Sequence, residues 1–141
     1  MPEPELIVIV VREWIKKAEN DLRTAAYTLT MGEEAPTDTI CFHAQQCVEK
    51  YLKALLVSLF IPFPKTHDVS ELLGLIPGDL RPELEVSVQK RLTEYAIAPR
   101  YPNAGLDISI REARKAVAVA RRVRKEVRRL LPRASLRQPK K

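Results

Sequence analysis

Apolar residues recur every three or four positions through most of this 141-residue chain, and that spacing leaves little room for anything but helices. The first stretch runs from about Glu5 to Thr30. It carries Ile7, Val11, Trp14, Ala18, Leu22, Ala25 and Leu29 on one stripe, and Gly32 follows as a stop signal. Its β-branched start, Ile7 to Val11, leaves a short strand open there. The second stretch, about Thr37 to Phe60, has a wider stripe: Ile40, Cys41, Ala44, Cys47, Val48, Tyr51, Leu52, Leu55, Leu56 and Leu59. So wide a face predicts a central helix packed on several neighbours. A short third helix spans about Val69 to Leu75, and Pro77-Gly78 breaks it. The fourth spans about Arg81 to Ala96, with Pro82 in its first turn and Leu84, Val88, Leu92 and Tyr95 as its stripe. The fifth spans about Asp107 to Leu131, with Ile110, Ala113, Val117, Ala120, Val123, Val127 and Leu130 facing inward. Long helices joined by short breaks predict an all-α, up-and-down helical bundle of about five helices. One domain is expected over residues 1–131. A basic, proline-containing tail over 132–141 is expected to be disordered.

Charge is unevenly spread along this bundle. Residues 1–106 hold 11 basic and 15 acidic side chains, whereas residues 107–141 hold 13 basic and 3 acidic. The net charge of +6 therefore belongs to the last helix and tail, which suggests an acidic partner: RNA, nucleotide phosphates or an acidic protein face. Helix 5 carries no aromatic residue with which to stack on bases. That favours a protein partner or nonspecific contact over base-reading RNA recognition.

Several chemistries are excluded. Cys41 and Cys47 sit six apart on one helix and point about 120° apart, so they cannot bridge each other. They read as buried small hydrophobes. No Cys/His cluster has zinc spacing, and neither a Gly-rich phosphate loop nor a nucleophile elbow occurs. No metal and no cofactor is expected. The apolar run Leu6 to Val11 is too short to span a membrane, and it lacks the basic flank of a secretory signal. A cytoplasmic protein is expected.

Candidate functional residues fall in three places. On helix 2, His43, Gln46, Glu49, Lys50 and Lys53 form a polar strip at three- and four-residue steps. It reads either as ligand contacts or as a solvated face with a Glu49–Lys53 pair. Next comes Lys65-Thr66-His67-Asp68. Asp68 is a natural N-cap for helix 3, His67 can satisfy a backbone group, and Lys65 suits a phosphate. Third is the loop with Arg100 and Tyr101, where a guanidinium fork can take a phosphate and a phenol ring can stack on a base.

The run Phe42-His43-Ala44-Gln45-Gln46-Cys47-Val48-Glu49-Lys50-Tyr51-Leu52-Lys53-Ala54-Leu55 resembles the helix 2 signature of HEPN domains. Lys65-Thr66-His67-Asp68 and Arg100-Tyr101-Pro102 are similar to two further family motifs, in the same order and spacing. Trp14 to Leu22 of helix 1 also fits. The resemblance covers roughly residues 10 to 130. It implies a helical bundle that usually dimerises and does nucleotide- or RNA-linked work. Many such proteins are encoded beside a minimal nucleotidyltransferase in toxin–antitoxin-like pairs. Members with RNase activity carry Arg, four to six residues, then His near the start of the final helix. Here the matching positions after Arg100 are Gly105, Leu106 and Asp107, and no His occurs after His67.

The expected function is therefore a non-catalytic homodimer. It would bind a nucleotide-type ligand through His43, Gln46, Lys50, Lys53, Lys65, His67, Arg100 and Tyr101, or dock a minimal nucleotidyltransferase. Two alternatives stand beside it. One is a divergent, metal-independent endoribonuclease using Arg100 with His43 or His67. The other is a structural dimer whose basic surface binds RNA or acidic proteins.

Overall fold

A computed structural model describes residues 4–97 and 107–137. Its helices are α1 (Pro4–Leu29), α2 (Thr37–Ser58), α3 (Val69–Leu75), α4 (Val86–Tyr95), α5 (Ile110–Leu130) and α6 (Arg133–Leu136). A 3-10 turn, Gly32–Glu34, links α1 to α2. The described residues contain no strand, so the fold is all-α. The β-branched start of the chain is part of α1, which begins at Pro4.

Long-range hydrogen bonds set the helix directions. Thr37 Oγ1 donates to the Ile108 carbonyl at 2.7 Å, so α2 and α5 start at the same end. Arg12 Nη2 donates to the Ala134 carbonyl at 2.7 Å, which places the end of α5 beside the start of α1. Arg122 Nη2 reaches the Glu83 carbonyl at 3.2 Å while Arg91 binds Glu112, so α4 runs against α5. The four longest helices thus alternate up and down.

Helix α2 is the centre, as its wide stripe predicts. Ile40, Cys41, Ala44, Cys47, Val48, Tyr51, Leu52, Leu55 and Leu56 are all buried. Around them pack Val11, Ile15 and Ala18 of α1, Leu72 of α3, Leu92 of α4, and Val117, Val123 and Val127 of α5. Both cysteines are free and buried. Burial pushes the Cys41 thiol up to about 12 and Cys47 higher still, so neither is a thiolate at neutral pH.

Helix ends depart from the periodicity in explicable ways. Helix α2 stops at Ser58, two residues before Phe60. Phe60 takes φ 61°, its N–H reaches the Val57 carbonyl, and the Ile61 N–H reaches that of Leu56. This is a Schellman cap with a phenylalanine where glycine is usual. Helix α4 begins at Val86 rather than Arg81. The preceding segment buries Pro82 and Leu84, two residues apart, while Arg81 Nε and Nη2 donate to the Ile76 carbonyl. Burial at a two-residue step is an extended pattern, and it overrides the helical reading. Helix α5 starts at Ile110, because the Ser109 hydroxyl accepts from the Glu112 N–H at 3.0 Å. Beyond Pro132 the composition predicts an unstructured tail. Residues Arg133–Leu136 instead form a helical turn with Ser135 buried.

Helix α3 matches its expected bounds. Asp68 Oδ1 accepts from the Ser70 and Glu71 N–H groups at 2.9 and 3.2 Å. Asp68→Ala should therefore lower stability by about 1 kcal/mol. Urea unfolding reads this as a lower midpoint at constant slope, and an unchanged midpoint would show that the cap contributes nothing.

Candidate functional site

Five of the eight candidate ligand residues gather around two carboxylates rather than facing solvent as an open cationic surface. The first centre is Asp21 of α1, which is buried at the α1–α2 seam. Lys50 Nζ lies 2.5 Å from its Oδ2, and His43 Nδ1 lies 2.7 Å from its Oδ1. His43 and Lys50 are seven residues apart, two turns of α2, so one acid from α1 reaches both.

The second centre is Glu49, only 2% exposed. Lys53 Nζ lies 2.9 Å from Oε2, and His67 Nδ1 lies 2.8 Å from Oε1. Gln45 Nε2 donates to Oε1 at 3.0 Å and also to the His67 carbonyl at 3.2 Å. Gln46 Nε2 donates to the Gln45 side-chain oxygen at 2.6 Å. The network ties the Lys65–Asp68 step to α2. Burial pushes the Glu49 carboxyl up, but the hydrogen bonds from Lys53, His67 and Gln45 outweigh it and hold the group below its usual value. Glu49 is accordingly ionised at neutral pH.

Lys53 has a second environment. Its ammonium lies 5.5 Å from the Trp14 ring centroid and 5.9 Å from that of Phe63. The two rings meet edge to face with centroids 6.3 Å apart. A cation held between a carboxylate and aromatic faces is fixed in place. Beside it, the His67 side chain is 52% exposed and Lys65 is exposed. His67 thus offers solvent an imidazole whose Nδ1 is committed to a buried acid. Such pairing orients a ring and leaves its other nitrogen for an outside group.

The solvated-strip reading of α2 is thereby corrected. Glu49 and Lys53 are buried, because α1 and the Phe63 loop cover that face of the helix. Arg100 and Tyr101 lie outside the described residues. Sequence reasoning passed over Asp21, Gln45, Trp14 and Phe63 as site builders. Two of these left a signal. Gln45 falls in register with Cys41, Val48 and Leu52 on the apolar stripe, and Asp21 directly precedes stripe residue Leu22. A polar group at a core register needs a buried partner.

A third ionic cluster fixes α5 on the bundle. Arg124 Nε lies 2.9 and 3.0 Å from the two Glu19 carboxylate oxygens. Arg128 Nη1 lies 3.4 Å from Glu19 and 3.3 Å from the Tyr51 hydroxyl. Two members of the basic helix are therefore pinned inward, not free on its surface. On the opposite flank, Glu112 accepts from Arg91 and from Tyr95. Among the described residues no group of three or more His, Cys, Asp and Glu is placed to hold a metal ion, and no helix is long and apolar enough to cross a membrane.

The site is thus built on two buried carboxylates, Asp21 of α1 and Glu49 of α2, within an up-and-down helical bundle. The chain belongs to the HEPN domain family, whose model matches residues 11–130. It is similar to the crystal structure of TT1696 from Thermus thermophilus, with 28% identity and a TM-score of 0.71. That likeness covers 86% of this chain and 98% of the other. It is also similar to ST0689, described as an archaeal HEPN homologue, with 29% identity, a TM-score of 0.66 and the same coverage. No curated protein sequence matches the chain.

Proposed function

We propose that this chain is a non-catalytic HEPN protein of the nucleotidyltransferase-associated branch. It binds a nucleotide-type ligand at the α2 site, docks a minimal nucleotidyltransferase, or does both. The observation that carries this reading is the half-exposed His67 ring, anchored on Glu49 beside Lys53, Trp14 and Phe63. An oriented imidazole next to exposed Lys65 suits a phosphate, and the neighbouring aromatic edge suits a base. Lys50 and Lys53 serve as structural cations in this reading, because carboxylates already neutralise them. His43 and Gln46 shape the same face, and Arg100 and Tyr101 complete the ligand contacts.

This module works as a cytoplasmic homodimer in a toxin–antitoxin-like pair, built from one domain over residues 1–131 and a basic extension over 132–141. Support for a dimer comes from one end of the bundle, where α1 begins and α5 ends. Leu6, Ile9, Val10 and Leu130 are exposed there.

Calorimetry with nucleoside mono-, di- and triphosphates tests the ligand, and copurification from the native host tests the partner. Binding is expected to weaken about tenfold, or about 1.4 kcal/mol, in His67→Ala. Absence of both a nucleotide and a partner overturns the reading.

One observation favours a second reading. Each of the two histidines has Nδ1 against a carboxylate, the arrangement that orients a general base. A metal-independent endoribonuclease would use it with Arg100. Cleavage of mixed RNA that is lost in Arg100→Ala and in His67→Ala would select this alternative. Inert protein at high concentration removes it.

A further inference from the structure

Away from the α2 site, α1 and α5 flank an open groove of about 570 Å³ whose lining is Arg23, Arg121, Arg124 and Lys125, with Glu19, Leu22 and Ala26. Four cations face one acid there. Glu19 takes Arg124 with both carboxylate oxygens, so one guanidinium at the wall is held in a fixed orientation. Burial pushes the Glu19 carboxyl up, but Arg124 and Arg128 outweigh that and keep it ionised.

The groove opens onto a longer feature. Arg111, Arg114, Lys115, Arg121, Arg122, Lys125 and Arg129 are exposed along α5. At about 100° per residue they fall on one face. They supply at least one cation on most turns, at steps of about 5.4 Å, over a helix about 30 Å long. We propose that this groove, with the stripe as its approach surface, binds the phosphodiester backbone of a single-stranded nucleic acid, with Arg23, Arg121 and Lys125 as the principal phosphate contacts and Arg124 holding the wall on Glu19.

The lining discriminates between polyanions. An acidic protein surface docks through apolar and aromatic anchors as well as charge. Here the apolar lining is Leu22, which is buried, and Ala26. Binding must then be almost wholly electrostatic, which suits a linear polymer with regularly spaced charge. No aromatic residue lines the groove, so bases are not read and sequence does not matter. Arginine forks match phosphate geometry better than ammonium groups do. The acidic excess in residues 1–106 turns the basic face of the molecule towards an approaching strand.

The test is fluorescence anisotropy with labelled oligouridylate and oligothymidylate of about 20 nucleotides, titrated from about 50 to 200 mM salt. Both strands should bind alike, with affinity falling steeply as salt rises. Arg121→Ala/Lys125→Ala should weaken binding at least about tenfold at low salt and lower the log–log salt slope by about 1.4, as two lost single-strand phosphate contacts require. Lys16→Ala/Lys17→Ala, exposed on α1 outside the groove, should change neither. Equal losses in Arg111→Ala/Arg114→Ala would spread binding over the whole helix and overturn the groove. So would binding to polyglutamate of matched charge as tight as to RNA, or no binding of either strand at low salt. Nucleotide binding at the α2 site is measured separately and is unaffected by these variants, so the two readings fail independently.

Discussion

Glu49→Leu should unfold the protein about 3–5 kcal/mol more easily than the wild type. The carboxylate is 2% exposed and Lys53 is 7% exposed, so the substitution strands an ammonium under the Trp14 and Phe63 rings. It also removes the acceptor of His67 and of Gln45. An uncompensated buried charge is costly, whereas a buried pair replaced whole by apolar residues is often neutral. Glu49→Leu/Lys53→Met should therefore recover much of the loss. Denaturant midpoints of the two variants decide the matter, and a loss below about 1 kcal/mol in the single variant would sink the idea that Glu49 organises this face.

The same pair predicts a response to acid. Folded Glu49 titrates below its usual 4.5, because Lys53, His67 and Gln45 outweigh the upward push of burial. A carboxyl depressed in the fold contributes stability that is complete above the unfolded value. That contribution fades as pH falls through the folded one. Glu19 and Glu112 are depressed by their arginines in the same direction, with burial opposing in both. Melting temperature should hold above pH 4.5 as far as these groups govern it, then fall below that value. Glu49→Leu should make the fall shallower. An equally steep fall in the variant would assign the acid response to other groups.

Tyr51→Ala should destabilise by about 3–5 kcal/mol, comparable to other aromatic truncations in a packed core. Tyr51 is fully buried on α2, where α1 and α5 meet. Its hydroxyl lies 3.3 Å from Arg128, which also reaches Glu19. Burial pushes the phenol well above its ordinary value, so it stays neutral. Most of the expected loss is therefore packing. Tyr51→Phe isolates the hydroxyl and should lose only about 1 kcal/mol. Similar losses in both variants would mean that the Arg128 contact, rather than the ring, holds α5 in place.

The stripe of α2 is read residue by residue from its spacing, since burial on one helical face leaves a period of about 3.6 whatever the neighbours are. The motif residues His43, Gln46, Lys53 and His67 are also legible as a group. Their condition is not. A lysine on a helix looks the same in sequence whether it meets water or a carboxylate, and Glu49–Lys53 reads as an ordinary surface pair. Coverage by Trp14 and Phe63, which are 39 and 10 residues from Lys53, makes it a buried one.

Helix α4 shows the converse. A helix is legible from Val88, Leu92 and Tyr95, but its start is not. The burial of Pro82 and Leu84 goes with the seating of their segment on α5, where Arg122 reaches the Glu83 carbonyl between them.

Local spacing and capping chemistry by themselves determined that this chain is an all-helical bundle with α2 at its centre, and they placed α3 at Val69–Leu75. Both are short-range properties, since an apolar stripe and an N-capping Asp68 act within a turn or two of the residues concerned. The tertiary structure alone decided which charges are spent. It put Asp21 under His43 and Lys50, Glu49 under His67 and Lys53, and Glu19 under Arg124 and Arg128. Whether a charge is free or neutralised is set by what comes within about 4 Å of it in space. For that reason the lysines of α2 became part of the scaffold, while Arg23, Arg121 and Lys125 at the α1–α5 groove remained turned to solvent.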